Sequence, residues 1–316
     1  MLNTAPNRYV ARALADGRTR ELLQRLDLAV TRKLDGVLQG DYLGLVPGHG
    51  SEPGETREYQ PGDDVRRIDW NVTARLDVPH TRETIADREL ETWALVDLSS
   101  SLDFGTAVCE KRDLAIVAAA AMGMLTSRTG NRFGVMIAEG EQLVTLPALA
   151  GRVNLFATLH QLMDRPRAAD GTGRTRLAAA IDRVAMLHRR RGLVVVISDF
   201  LASDDWSRSL ARLAVRHDTL AVEIIDPREL ELPDVGIITV VDPETGRRRE
   251  IQTSSAQLRA RYAEAAAAQR GRNASDIRQS SADHLVLRTE SDWFDDLVRF
   301  VSLRRERAAR LPRRAR

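Results

Sequence analysis

Leu193-Val194-Val195-Val196-Ile197 is the segment that most limits what this chain can fold into. Five successive apolar residues, four of them β-branched, give no polar face to water. They suit a strand buried on both sides, in the middle of a mainly parallel sheet. Parallel strands need long crossover connections, usually helices, and the surrounding sequence supplies them. Thr92-Trp93-Ala94-Leu95-Val96 reads as a second buried strand, followed by an apolar helix from Lys111 to Thr126. Residues 133–137 and 143–146 read as paired strands. Helices are expected over 153–163, 177–188 and 207–216, then a strand over 219–225 and another over 237–241. A helix over 258–270, a short strand over 284–287 and a helix over 292–310 complete the chain. The expected class is α/β: a mainly parallel sheet with helices on both faces, containing 92–96, 193–197 and 219–225.

Ahead of this alternation, Leu22, Leu23, Leu26, Val30, Leu34, Val37 and Leu38 recur at helical spacing. They predict an amphipathic helix docked on its own domain. Residues 40–62 are rich in Gly and Pro and read as loops around short strands. Their glycines lack the following Lys-Ser/Thr of a phosphate-binding loop. The segment after them is dense in charge: Asp63, Asp64, Arg66, Arg67, Asp69 and Arg75, with Arg57 just upstream. These charges alternate with Val65, Ile68, Trp70 and Ala74, which predicts partial burial. Arg66, Arg67 and Asp69 are expected to form an internal ion-pair network; contact with a partner is the alternative role. Three parts are expected: 1–90, an N-terminal helix and signature segment packed on the main domain; 91–245, the main domain; and 246–316, a helical extension with one short strand and a basic tail.

Composition excludes several classes. With 47 Lys+Arg against 45 Asp+Glu, the formal charge is +2. That balance gives no reason to expect nucleic acid as a partner. Nearly all the positive charge is Arg; Lys33 and Lys111 are the only lysines. The single cysteine, Cys109, excludes an internal disulfide and reads as a packing residue. No apolar stretch approaches the ~18 residues of a membrane span, and Met1 to Arg12 has no apolar core. A cytoplasmic protein is expected. The seven arginines from Arg304 to Arg316 read as a solvated helix end.

In open α/β sheets, ligands bind beyond the carboxyl ends of the strands. Asp97-Leu98-Ser99-Ser100-Ser101 follows one apolar strand and Ser198-Asp199 follows another. Gly171-Thr172-Gly173-Arg174-Thr175 precedes a helix. Hydroxyl and carboxylate oxygens are hard ligands, suited to Mg²⁺ rather than Zn²⁺. Because hydroxyls do not neutralise an ion, residual charge would remain to attract an outside carboxylate.

Asp97, Ser99, Ser101, Thr175 and Asp199, in this order, resemble the metal-ion-dependent adhesion site of von Willebrand factor A (vWA) domains. The block 61–70, Pro-Gly-Asp-Asp-Val-Arg-Arg-Ile-Asp-Trp, with Thr73-Ala74-Arg75, resembles the bacterial family DUF58. The likeness runs from about Gly44 to about Ile225. It implies a vWA-type fold, a bound Mg²⁺ (or Mn²⁺ or Ca²⁺), and those five residues as its ligands. It also implies a partner: an AAA+ ATPase of the MoxR type, beside which such proteins are typically encoded, or another protein offering an Asp or Glu. Many relatives begin with two membrane helices and this chain does not, so no membrane location carries over.

Enzyme readings find less support. There is no His-Glu-x-x-His, Cys-x-x-Cys or Gly-x-Ser-x-Gly. The six histidines are scattered, and none follows a strand as an obvious base. A hydrolase using Asp97 and Asp199 with Mg²⁺ is the alternative. An interaction module whose metal site has degenerated is the other.

Overall fold

The computed structural model describes residues 23, 24, 26–28, 30, 56–59, 68, 70–76, 78–82, 91–127, 131–167, 175–188 and 190–310. Strand β1 (Thr56–Glu58) pairs antiparallel with β2 (His80–Arg82), and helix α1 (Trp70–Leu76) lies between them in sequence. A six-stranded sheet follows, built from β3 (Glu91–Asp97), β4 (Arg132–Glu139), β5 (Gln142–Ala150), β6 (Leu193–Ser198), β7 (Asp218–Ile225) and β10 (Asp283–Arg288). Its order is β10-β7-β6-β3-β4-β5, and only β5 runs antiparallel to its neighbour. The helices are α2 (Lys111–Ser127), α3 (Arg152–Met163), α4 (Leu177–Leu187), α5 (Trp206–Arg216), α6 (Ala256–Gln279) and α7 (Trp293–Arg310). The expected parallel-rich α/β sheet is present, with 193–197 at its centre.

The alternation of side chains along the strands divides the core in two. Ala94, Val96, Val195 and Ile197 face one way, into a cluster with Leu114 and Val117 of α2, Leu155 of α3 and Leu297 of α7. Trp93, Leu95, Val194 and Val196 face the other way, against Ile181 of α4, Leu210 of α5 and Ile277 of α6. Leu23, Leu26 and Val30 join the first cluster, so the described part of the N-terminal helix is docked on this domain.

Three expectations need correction. Trp70 is 71% exposed and Ala74 is also exposed. Helix α1 stands beside β2, where the His80 N–H donates to Thr73 Oγ1 at 3.0 Å, so its alternating pattern does not face a core. Helix α6 runs past the expected end at 270: Gly271 faces open space, while Asn273 and Ile277 beyond it are buried. The expected strand over 237–241 is present as β8 (Ile237–Val241), in a separate hairpin with β9 (Arg248–Gln252). Arg304 is not solvated. Its guanidinium pairs with Asp218 at 2.5 Å and Asp283 at 3.0 Å, tying α7 to the starts of β7 and β10.

At the amino edge of the sheet, His188 and His217 stack with ring centroids 4.6 Å apart, and His188 Nδ1 lies 2.8 Å from Glu91. Gly192 passes between them and β3. A Cβ there would come within 2.3 Å of the Glu91 carbonyl oxygen and 2.5 Å of His188 Nε2. Neither atom can retreat without disturbing the entry to β3 or the histidine stack. Gly192→Ala is therefore expected to cost about 1–3 kcal/mol, the usual penalty of overpacking. Urea unfolding measures it; a midpoint equal to wild type would mean that the strand entry shifts freely.

Candidate metal centre

The register of the two central strands builds the site. β3 and β6 are parallel with Val96 opposite Ile197, so the next residues, Asp97 and Ser198, meet at their carboxyl ends. Chain order diverges between these strands: β4 lies outside β3 and β7 outside β6. This is the switch point at which such sheets bind ligands.

Asp97 is buried, and both its oxygens accept hydrogen bonds. Oδ1 accepts from the Ser99 N–H at 3.0 Å and Oδ2 from the Ser198 hydroxyl at 2.7 Å. The first bond folds the loop back over the strand tip and places Ser99 Oγ 3.1 Å from Ser101 Oγ. Asp199 Oδ1 accepts from the Leu201 N–H at 3.1 Å. Phe200 between them has a φ of 54° and a buried ring against Trp206. A bulky residue in the left-handed region costs on the order of 1 kcal/mol, and here packing of the ring holds the turn.

Ser101 is close enough to Asp199 to help hold its carboxyl down, so Asp97, Ser99, Ser101 and Asp199 converge in one cluster. Thr175 lies at the start of α4, which is tied to the loop after Asp199 where the Ala178 N–H donates to Asp204 at 2.8 Å. The Thr175 hydroxyl is buried and, among the described residues, has no hydrogen-bond partner. A buried hydroxyl in that state is costly and points to a missing acceptor or ligand.

The electrostatics are those of a site short of positive charge. Burial raises the Asp97 carboxyl to a pKa of about 6, and the neighbouring Asp199 carboxylate adds to the effect. Burial opposes ionisation of Asp199 as well, but the Lys111 ammonium at 2.8 Å outweighs it and holds Asp199 below the usual carboxylate range. Lys111, fully buried at the start of α2, also pairs with Glu229 on the turn after β7. Burial alone would favour its neutral form; Asp199 and Glu229 reverse that, so it remains an ammonium. Asp226, one residue past β7, is a third strand-end carboxylate. It accepts from Thr106 N–H at 2.9 Å, Thr106 Oγ1, Arg228 N–H and Thr289 Oγ1. Burial pushes it up, but these donors hold it down.

Sequence reasoning missed Lys111, Asp226 and Glu229. Asp226 follows the apolar run Leu220–Ile225, so the rule that found Asp97 and Asp199 also reaches it. Lys111 had a compositional signal: a lysine in a chain that otherwise uses arginine. Of the upstream signature, Asp63, Asp64, Arg66, Arg67, Asp69 and the Arg57 side chain lie outside the described residues. Trp70 and Arg75 are exposed. Cys109 is buried, with its thiol pushed up to about 12 by burial and by Asp113, as a packing residue would be. Among the described residues, no three His, Cys, Asp or Glu side chains converge as metal ligands. A centre here would have to rest on hydroxyls and two carboxylates. The residues present fit that: four already converge, and the fifth offers a hydroxyl with no partner among the described residues.

Fold and site together define an open α/β protein with a hydroxyl-rich acidic centre at the switch point of its sheet. The chain belongs to the family described as "Protein of unknown function DUF58", which it matches over residues 55–272. An uncharacterised protein of Mycobacterium tuberculosis is 54% identical over 286 residues, covering 90% of each chain. Among solved structures, the conserved hypothetical protein BatB from Bacteroides thetaiotaomicron aligns with 70% of this chain and all of its own, at 12% identity and a TM-score of 0.44. The SpRpn10 VWA domain aligns with 66% of this chain and 93% of its own, at 16% identity and a TM-score of 0.37. Likenesses of that size carry no argument about function.

No helix among the described residues is long and apolar enough to cross a membrane.

Proposed function

We propose that this chain is a vWA-type binding module that holds a divalent cation and uses it to grip an acidic side chain of a partner protein. One observation carries the reading: Asp97, Ser99, Ser101 and Asp199 converge at the switch point, and among the described residues the buried Thr175 hydroxyl has no partner. The ion is Mg²⁺, with Mn²⁺ or Ca²⁺ as the other hard cations such oxygens accept. Ser99, Ser101 and Thr175 would offer hydroxyls. Asp97 and Asp199, each already engaged on both oxygens, would act through their remaining lone pairs or through water. A bound cation would supply an electrophilic position for a carboxylate. The charge balance supports this. Asp199 and Glu229 share one ammonium while Asp97 faces the Asp199 carboxylate without a cation of its own, which leaves a deficit that a dication fills. By family resemblance, the partner is a MoxR-type AAA+ ATPase, and the pair would remodel or mature other proteins in the cytoplasm.

A second reading draws on Lys111, whose ammonium already serves Asp199. In that case the chain is an interaction module whose cation is built in.

Titration with MgCl₂ separates the two. Under the first reading, Mg²⁺ at a hundred times its dissociation constant stabilises the protein by about 2.7 kcal/mol. Ser99→Ala with Ser101→Ala abolishes that gain, and partner affinity falls at least tenfold in the variant or in EDTA. An identical melting curve with and without metal, together with unchanged partner affinity in the double variant, would leave the built-in cation as the better account.

A further inference from the structure

Beyond the strands that build the site, the β8–β9 hairpin also touches it. The Ser100 hydroxyl, in the middle of the Asp97–Ser101 loop, donates to the Pro243 carbonyl oxygen at 2.8 Å. Pro243 lies in the hairpin turn. Asp242 organises that turn by accepting from the Glu244 N–H and the Thr245 hydroxyl, and Gly246 closes it with a φ of 67°. The turn is therefore a fixed structure resting on the site's own loop.

Directly after the turn come Arg247, Arg248 and Arg249, all exposed. No carboxylate of the described residues holds any of their guanidiniums. The register sets Arg248 across from Val241 and Arg249 across from Val240, and both valines are exposed, as is Ile237 at 68%. Because successive strand residues face opposite ways, Arg248 lies beside Val241 on the face that also carries Ile237, and Arg249 lies beside Val240 on the other, so each face of the hairpin sets a guanidinium next to an apolar side chain.

We infer that this hairpin is a recognition strip for an acidic polypeptide segment in which carboxylates alternate with apolar residues. Guanidiniums bind carboxylates through paired N–H donors, and the adjacent valines and Ile237 would cover the apolar residues between them. A nucleic acid fits less well. The hairpin has no aromatic ring on which a base could stack. The inference rests on the partner-binding reading above and extends it: one acidic side chain goes to the centre and its neighbours go to the arginines.

The test uses the full chain and a fluorescein-labelled twelve-residue peptide of repeating Glu-Leu-Asp-Leu, followed by anisotropy in EDTA and in Mg²⁺. Arg247→Glu with Arg248→Glu and Arg249→Glu should weaken binding at least tenfold in both buffers. The corresponding triple glutamine variant should lie between it and wild type, which keeps the test decisive if charge reversal unfolds the hairpin. Arg190→Glu with Arg191→Glu, distant in sequence and charged alike, should bind as wild type does. A gain on adding Mg²⁺ that survives in the hairpin variants but is lost in Ser99→Ala with Ser101→Ala would show two separable contributions. If Mg²⁺ has no effect anywhere while the hairpin variants still lose tenfold, the metal reading fails and the strip stands. The strip is overturned if wild type does not bind the peptide, if the triple variants bind it unchanged, or if the Arg190/Arg191 control loses as much. Tighter binding of a twelve-nucleotide single-stranded DNA through the same arginines would also overturn it.

Discussion

Lys111→Met is expected to destabilise the metal-free protein by about 3–5 kcal/mol, the usual cost of removing one partner from a buried ion pair. Methionine keeps most of the volume, so the loss reports charge rather than a cavity. Two carboxylates lose their cation. Asp199 is almost wholly buried, whereas Glu229 is about a quarter exposed and can rehydrate. Most of the penalty therefore belongs to Asp199. Asp199→Asn in the same chain should recover a large part of it, and a double-mutant cycle by urea unfolding measures the coupling. Under the proposed function, excess Mg²⁺ should return part of the deficit in Lys111→Met, because a second cation beside Asp199 takes over the compensation. A loss below 1 kcal/mol would show that Asp199 is solvated in the folded protein, contrary to the geometry.

Asp97→Asn should act in the opposite direction. Asparagine has nearly the same shape: Oδ1 can still accept from the Ser99 N–H, and Nδ2 can donate to the Ser198 hydroxyl. What disappears is a buried negative charge facing Asp199. The folded-state value near 6 against an unfolded value near 3.8 corresponds to roughly 1–3 kcal/mol. The group is more basic when folded. Its stabilising contribution is therefore complete below about pH 3.8 and is lost as pH rises through about 6. In EDTA at pH 7, the variant should melt above wild type, with the difference narrowing as pH falls toward 4. In Mg²⁺ the order should reverse, because only the wild type gains from the ion. A variant less stable than wild type in EDTA at pH 7 would show that Asp97 contributes bonding rather than repulsion to the metal-free protein. Stability sacrificed for a ligand site is the general expectation when the site must carry uncompensated charge.

The sequence alone determined the sheet, because burial and side-chain period are properties of local composition. Residues 193–197 are apolar on both faces and could only be a central strand. Asp97 and Asp199 were legible for the same reason: each is the first charged residue after such a strand, where a parallel sheet opens to ligands. Tertiary structure alone decided which of these charges are compensated. Nothing local in residues 110–113 shows that the Lys111 side chain turns into the sheet rather than outward. That depends on the start of α2 packing across the tips of β6 and β7, where Asp199 and Glu229 wait. Likewise, Trp70 and Ala74 follow the same apolar alternation as buried residues, yet α1 sets them toward solvent. Residues 237–241 have the composition of a strand, and local propensity made them one. Pairing with 248–252 rather than with the central sheet was settled by chain geometry: the turn at Asp242–Arg247 closes a hairpin before the chain can cross back. Local sequence sets what each segment is, because propensity and period act over a few residues. Charge pairing and strand partnership join residues more than a hundred positions apart, so only the folded chain fixes them.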